Sequence, residues 1–167
     1  MNNKILIPLD GSKISEEAIR GLSNLCNLSK SEIHLVRVAL AYTLPGIDPT
    51  AAQVLVVREA EEYLDQVLAR LKKEGLDVSK AVLIHVRYGN PAQEILEHAR
   101  VGKFDLIALS SHGKGRIGRW LLGSVAEKII RNSPIPVLLV RTTEEERPDN
   151  RKIRELAASG FYAESRS

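Results

Sequence analysis

Aromatic residues, cysteine and long apolar runs are all scarce in this chain of 167 residues. Aromatics make up 4% of the sequence, which argues against single-stranded nucleic acid as a ligand because such ligands are bound largely by stacking on aromatic rings. The single cysteine, Cys26, has no partner for an internal disulfide and lies in no pattern of zinc ligands. A net charge of +3 is too small to indicate nucleic acid unless it is focused on one surface.

The sequence shows neither the pattern of a membrane-spanning segment nor that of a signal peptide. No apolar run approaches the ~20 residues that cross a bilayer. The first residues, MNNKILIPLDGS, carry a lysine, a short apolar run and an acid, which is not the pattern of a signal peptide. We therefore expect a cytoplasmic protein with no membrane partner, and we expect no nucleic acid partner.

Five short apolar runs predict β-strands, at residues 5–9, 33–38, 82–86, 104–110 and 136–140. Each run is nearly continuous rather than alternating, which is typical of strands that are covered on both faces in a parallel sheet. Pro8 falls late in the first run. Because proline lacks the backbone N–H that a sheet ladder needs, we place it at the exit of its strand.

Helical patterns separate these runs, over residues 15–27, 52–74 and 91–101 and from about residue 124 onward. Asn90 with Pro91 is typical of a helix start, and Gly75 and Gly102 are typical of helix ends. The alternation predicts a doubly wound α/β fold, in which a five-stranded parallel sheet of order 3-2-1-4-5 carries helices on both faces. Ligands bind such sheets at the carboxyl ends of the strands where the winding reverses, here between the first and fourth strands.

Single residues within the predicted helices and strands also receive structural interpretations. His34 and His85 fall inside strands, and we expect His98 on a helix surface. The expected apolar stripe of the first helix is Ala18, Leu22, Leu25 and Cys26. In the second helix the residues near helical spacing are Val57, Glu61, Leu64, Leu68 and Leu71.

All of these elements lie within residues 1–141, which we predict to form one α/β domain. The segment 41–50, AYTLPGIDPT, is expected to form a mobile flap. Residues 142–167 change to a charged and polar composition, and two interpretations stay open for them. They form either a solvated tail or a short helix around residues 151–158, with Phe161 and Tyr162 docked on a partner chain.

The stretch SSHGKGRIGRWLLGSVAEKII, residues 110–130, has the composition of an anion site. Ser124 and Glu127 match a capping box, which predicts that a helix begins just after Gly123. The free N–H groups and positive dipole end of a helix start favour an anion, and Gly113 is able to turn further amides toward it. Added positive charge is available from Lys114, Arg116 and Arg119. The alternative is an ordinary turn with solvated basic residues.

Two better-known phosphate motifs do not fit this stretch. GKGRIG, residues 113–118, lacks the Gly-Lys-Ser/Thr ending of the P-loop. It matches the letters of the dinucleotide fingerprint, but it follows the fourth strand instead of the first and does not lead directly into a helix. Neither motif is predicted here.

The chain resembles the nucleotide-binding branch of the universal stress protein family over about residues 2–141. That branch carries the pattern Gly-x2-Gly-x9-Gly-Ser/Thr, which is matched here by Gly113, nine further residues, Gly123 and Ser124, with Ser110 in place of the first glycine. The segments ILIPLDGS, GNPAQEI and SPIPVLLVR are also similar to the family. If position 110 requires a positive φ, serine costs on the order of 1 kcal/mol there.

The resemblance implies a cofactor and a set of contacts. The cofactor is ATP, or ADP or AMP, with Mg²⁺ expected beside a triphosphate. Asp10 aligns with an acid that contacts the ribose, and Val38 with a residue whose backbone meets adenine. The full set of implied nucleotide-binding residues is Pro8, Asp10, Val38, Ser110, Gly113, Lys114, Gly123, Ser124 and Val125.

Homodimers are common in this family, and the sequence offers a reason for one. Residues 136–140 would form an apolar edge strand, which a second copy would cover. The resemblance therefore implies a homodimer through this edge, and any other protein partner is unknown.

The function implied is that of an ATP-binding regulatory protein of the stress response. Two alternatives stay open: a nucleotide-free dimeric interaction module of the same family, and a slow ATP hydrolase. No nucleophile, base and orienting group can be assigned at local spacing, so any hydrolysis is expected to be weak.

Overall fold

The computed structural model describes residues 3–25, 30–40, 48–75, 82–111 and 122–141. The strands are β1 (Asn3–Leu9), β2 (Ser31–Leu40), β3 (Val82–Gly89), β4 (Leu106–Ser110) and β5 (Val137–Val140), and the helices are α1 (Lys13–Leu25), α2 (Pro49–Lys73), α3 (Pro91–Val101) and α4 (Ser124–Asn132). All strand pairs are parallel, and their order is β3-β2-β1-β4-β5. The predicted doubly wound fold and its strand order are confirmed.

Two apolar layers sandwich the sheet. Ile5, Ile7 and Leu9 of β1 point into a core that α1 and α2 cover, whereas Leu6 points into a second core that α3 and α4 cover. All four of these side chains are buried. The first apolar run is continuous because both of its faces are covered, as expected for a central parallel strand.

The ladder between β1 and β4 is short, and this feature creates a gap in the sheet. β1 pairs with β2 along seven residues, from Asn3 to Leu9. Its pairing with β4 consists of two positions, the last of which joins Leu6 to Ile107. Pro8 lies beyond that point and has no N–H to extend a ladder, so the carboxyl ends of β1 and β4 are left unpaired with each other.

The apolar stripes of the first two helices differ in part from those expected. Leu25 was predicted to be buried but is 68% exposed, because it is the last residue of α1 and lies a turn beyond the buried Leu22. In α2 the buried positions include Ala60 and Val67, next to the predicted Glu61 and Leu68. The predicted Leu64 and Leu71 are buried as well.

The predicted helix ends of α2 and α3 are confirmed. Asn90 caps α3, since its side chain accepts a hydrogen bond from the N–H of Gln93, and Pro91 is the first helical residue. Gly75 follows the C-cap of α2 with a φ of +69°, which only glycine adopts without cost. Cys26, most of the predicted flap and the segment 142–167 lie outside the described residues.

Three histidines meet near the amino ends of the strands. The rings of His34 on β2 and His85 on β3 are parallel, with centroids 4.9 Å apart, and the Nδ1 of His34 lies 2.7 Å from the Nε2 of His85. The ring of His98 on α3 lies 4.7 Å from that of His85, and Phe104 contacts both His34 and His98. The prediction that His98 lies on a helix surface is wrong, because its half-buried ring packs against the rings of His85 and Phe104.

This cluster favours the neutral form of His85 and His98. Burial lowers the pKa of His98 to about 4, and a charge on His98 would also be repelled by Arg87 and by any proton on His85. Burial likewise lowers the pKa of His85, with further contributions from His34, Lys4 and Arg87. The Nε2 of His98 is a buried atom that has no hydrogen-bond partner among the described residues. A proton on either ring is therefore unfavourable in the folded chain.

We expect the free energy of unfolding to fall as the pH drops from about 6.5 toward 4. In that window the unfolded chain binds protons to His85 and His98 that the folded chain excludes, and the stability is fully present above pH 6.5. Replacing His98 with Phe should make the decline shallower while leaving the stability at pH 7.5 within about 1 kcal/mol. Urea unfolding at several pH values measures both. Equal slopes for the two proteins would contradict this assignment.

Candidate functional site

A cavity of about 550 Å³ opens where β1 and β4 separate. Its walls come from the ends of three adjacent strands and from the first turn of α4. The contributing segments are residues 8–10, 37–40, 109–111 and 123–126, together with Ser15, Val56, Glu59, Pro91, Ile95 and Ile129. The cavity therefore lies at the carboxyl edge of the sheet, where the winding reverses, as the strand order predicts.

The structure brings together the sequence-predicted contact residues that it describes. All seven line this cavity, and they are Pro8, Asp10, Val38, Ser110, Gly123, Ser124 and Val125. Gly113 and Lys114 lie outside the described residues, as do His112, Arg116, Arg119 and Trp120. The shared location is thus established for seven of the nine, and their contact with a ligand stays a prediction.

The turn between β1 and α1 holds Asp10 in place. One carboxylate oxygen of Asp10 accepts hydrogen bonds from the N–H of Ser12, at 2.9 Å, and from the hydroxyl of Ser12, at 2.6 Å. The N–H of Asp10 donates to the hydroxyl oxygen of Ser15 at 3.3 Å. Gly11 between them has a φ of +87°. This turn presents a carboxylate to the cavity in a defined position.

α4 begins just after Gly123, as predicted, but its N-cap is Gly123 instead of Ser124. Gly123 is the N-cap, in an extended conformation, and no side chain caps the helix. Its N–H donates to the carbonyl of Ser111, at 3.1 Å, and its carbonyl accepts from the N–H of Glu127. The predicted capping box of Ser124 and Glu127 is therefore wrong, because the bond to β4 fixes Gly123 as the last extended residue.

The absence of a side-chain cap affects the chemistry of the cavity. Ser124 becomes the first helical residue and is exposed, and the carboxylate of Glu127 pairs with Arg131 one turn further along. The first N–H groups of a helix need acceptors. Their positive partial charge is compatible with an anion at this wall of the cavity.

Comparison with known proteins identifies the family. The sequence profile described as the universal stress protein family matches residues 1–141. The chain is 33% identical over 143 residues to a universal stress protein of Methanocaldococcus jannaschii, a match that covers 86% of this chain and 84% of the relative. The chain belongs to the universal stress protein family.

Solved structures of the family share the fold of this universal stress protein. The structure of MJ0577, another protein of M. jannaschii, is 30% identical, has a TM-score of 0.73, and the match covers 86% of this chain and 99% of that one. Two more distant proteins have structures described as complexes. One is a universal stress protein with cAMP, at 22% identity and a TM-score of 0.53 over 85% of this chain and 98% of that one. The other is an Arabidopsis thaliana protein with AMP. It is 16% identical with a TM-score of 0.59, and the match covers 89% of this chain and 97% of that one.

Ser110 fits its position without backbone strain. It ends β4 and is buried at 7% exposure. Among the described residues, Lys103 is the one non-glycine with a positive φ. The expected cost of about 1 kcal/mol for a serine in a left-handed conformation does not arise in this universal stress protein, since the chain at position 110 is an ordinary strand.

Gly123 is not required by the part of the fold that the structure describes. Its φ of −63° and ψ of 146° are open to any residue. Among the described residues, a Cβ at this position would meet only the carbonyl oxygen of Ser111, at 3.9 Å. The space that the missing side chain leaves lies at the cavity wall, where it allows a ligand to approach the backbone.

Two charged residues of the cavity were missed by the sequence analysis. Arg37 lies at the end of β2, next to Val38, and Glu59 lies on α2. A cation inside the otherwise apolar run 33–38 was an available signal for Arg37, because a strand covered on both faces seldom carries one. Glu59 gave no such signal, since it is one of several acids on a mostly exposed helix.

Neither a metal cluster nor a spanning helix is found in the described ranges. No group of three or more histidine, cysteine, aspartate or glutamate side chains is placed there to hold a metal ion. None of the helices described is long and apolar enough to cross a membrane.

We expect Asp10 to have a structural role that can be separated from its charge. Asp10→Ala removes both bonds to Ser12 and should lower the free energy of unfolding by about 1–2 kcal/mol. Asp10→Asn keeps a side-chain oxygen for the same bonds and should stay within about 0.5 kcal/mol of the native protein. Thermal and urea unfolding of the two variants measures this. Equal losses would show that the turn does not depend on that oxygen.

Proposed function

We propose that this universal stress protein binds an adenine nucleotide in the cavity between β1 and β4 and acts as an ATP-binding regulatory protein of the stress response. The observation that carries the proposal is the convergence of seven predicted contacts, from four separate segments, on one cavity of about 550 Å³. That volume is within the range of small-molecule sites. The fold analogy alone would be weaker, because one fold serves many functions.

Each part of a nucleotide has a matching wall in this proposal. The uncapped start of α4, with Gly123 and Ser124, faces the phosphates. The carboxylate of Asp10, held by Ser12, accepts hydrogen bonds from ribose hydroxyls. The backbone of Val38, at the end of β2, meets the base. ATP with Mg²⁺ is the expected form, and the ion would be held mainly by phosphate oxygens and water.

The structures of relatives lend the proposal limited support. Two proteins of the same fold hold AMP and cAMP according to their descriptions. Both are less than 25% identical to this chain, so they support only that the fold accommodates adenine nucleotides. Which nucleotide this protein prefers has to be measured.

The direct test is to measure nucleotide on the purified protein and its affinity for added nucleotide. Denaturation followed by ultraviolet absorbance and mass spectrometry detects nucleotide that co-purifies. Isothermal titration calorimetry with ATP, ADP and AMP measures binding. Phosphate release, measured in the same samples, distinguishes a binding protein from a slow hydrolase. Absence of binding at millimolar nucleotide would favour the nucleotide-free interaction module.

We predict that Gly123→Ala lowers the affinity for ATP about tenfold or more while changing the free energy of unfolding by less than about 1 kcal/mol. The new methyl group fills the space where phosphate approaches the backbone, whereas the described fold accepts it. The loss of unfolded-state freedom offsets the poorer N-cap. Calorimetry and urea unfolding measure the two effects.

Gly21→Ala serves as the matched control for this substitution. The Cβ of an alanine at position 21 would lie 2.4 Å from a methyl carbon of Val140, so this variant should lower the free energy of unfolding by more than about 1 kcal/mol. Because position 21 does not line the cavity, the affinity of the folded variant for ATP should be unchanged. If Gly123→Ala binds ATP with the affinity of the native protein, the phosphate does not lie against the backbone at position 123.

We also propose that two copies pair through the β5 edge. β5 lies at one end of the sheet. The carbonyls of Pro136 and Val140 accept bonds from β4, so by the alternation of a parallel ladder the backbone groups of Val137 and Leu139 point away from the sheet. A row of such groups on an apolar strand is a template for pairing.

Light scattering should give twice the mass of one chain, and the amide of Leu139 should exchange slowly with deuterium in the dimer. The amide of Leu138, which faces β4, is the internal control and should be protected in either state. A single-chain mass at every concentration tested, or rapid exchange at Leu139 within a dimer, would exclude this edge.

A further inference from the structure

Arg37 is a cation in the cavity wall. It occupies the last part of β2, is half-buried, and lies opposite Leu9 in the register of β1. Among the described residues that line the cavity, the other charged side chains are Asp10 and Glu59, both acidic. Among the described lining residues, the guanidinium is thus the one side chain whose charge attracts an anion.

An aromatic ring supports the guanidinium from one side. Its central carbon lies 4.7 Å from the centre of the Tyr63 ring, within the range of cation–π contacts. Tyr63 is itself held in place, because its hydroxyl lies 3.1 Å from a carboxylate oxygen of Glu16, and Arg70 binds the other oxygen of that carboxylate at 2.6 Å. Burial and the charge of Glu16 raise the pKa of Tyr63, so the ring stays neutral.

The turn after β1 leaves room for the same guanidinium. A Cβ on Gly11 would lie 2.0 Å from a terminal nitrogen of Arg37, a distance that no side chain could occupy without displacing it. The positive φ of Gly11 also favours glycine. The arginine head group is thus enclosed between the backbone of Gly11, the residue after Asp10, and the Tyr63 ring.

Arg37 has no protein counter-ion in the part of the chain that the structure describes. No carboxylate there lies within 4.0 Å of its guanidinium, and no described group accepts a hydrogen bond from it. Six other arginines each pair with a glutamate: Arg20, Arg58, Arg70, Arg87, Arg100 and Arg131. Because the guanidinium donors have no acceptor among the described residues, they are available to an anionic ligand that enters the cavity.

We propose that Arg37 is a specificity-determining residue that contacts the phosphate nearest the ribose and so selects phosphorylated nucleotides over nucleosides. This inference rests on the proposed function. The guanidinium adjoins Gly11, the residue after Asp10, and Asp10 is assigned to the ribose. The phosphate within its reach is then the one attached to the ribose, which AMP and ATP share. Guanidinium groups bind phosphate through paired, charge-assisted hydrogen bonds.

The test compares adenosine, AMP and ATP by isothermal titration calorimetry on the native full-length protein and on Arg37→Gln. We expect Arg37→Gln to weaken AMP and ATP by a similar factor, about tenfold or more, and to leave the affinity for adenosine within twofold. Arg37→Lys keeps the positive charge but lacks the planar guanidinium, so its affinity for AMP and ATP should lie between that of the native protein and that of Arg37→Gln. Arg131→Gln, which removes an exposed arginine of α4 outside the cavity, should bind all three ligands like the native protein.

The adenosine measurement separates a contact from a merely structural role. An equal loss for adenosine, AMP and ATP would mean that Arg37 only supports the turn at Gly11, and the inference would be overturned. Unchanged binding of AMP and ATP by Arg37→Gln would overturn it as well. If the native protein binds none of the three ligands, the proposed function fails and this inference fails with it. If circular dichroism shows that Arg37→Gln does not fold, the same comparison is made with Arg37→Lys. The deciding quantity is the affinity for AMP or ATP divided by the affinity for adenosine.

Discussion

The short ladder between β1 and β4 is the constraint on which the rest of the site depends. Parallel strands that stay paired along their whole length leave no room for a ligand between them, because neighbouring strands lie about 4.8 Å apart. Here the ladder stops at Leu6 and Ile107, and Pro8 cannot extend it. The two strands then lead to different structures, a tight turn with Asp10 on one side and the start of α4 on the other. The cavity is the space between these two exits.

Charge is distributed unevenly around this space. The wall at α4 carries the partial positive charge of uncapped amides. The rest of the described lining carries Asp10 and Glu59, and Arg37 offsets part of their charge. A ligand that combines hydroxyl groups with phosphate would satisfy both walls, because hydroxyls donate to carboxylates and phosphates accept from amides and guanidinium groups. A nucleotide has this combination of groups.

Most of the fold could be predicted from the sequence, because the signals were local or followed from general topology. Continuous apolar runs indicated buried parallel strands, and Asn90 and Gly75 marked helix ends through their own backbone chemistry. The errors arose where a distant contact decided the outcome. The bond from Gly123 to Ser111 makes Gly123, and not Ser124, the N-cap of α4, and the packing of α3 on β3 brings His98 into a ring cluster. Arg37 was overlooked because its partners, Gly11 and Tyr63, lie far away in sequence.

The most direct test of a nucleotide site between β1 and β4 is a crystal structure of the protein grown with millimolar ATP and Mg²⁺. Our account predicts electron density for the nucleotide in this cavity, with its ribose beside Asp10 and phosphate oxygens within hydrogen-bond distance of the amides that begin α4. Density for water alone, or nucleotide bound at another surface, would contradict it.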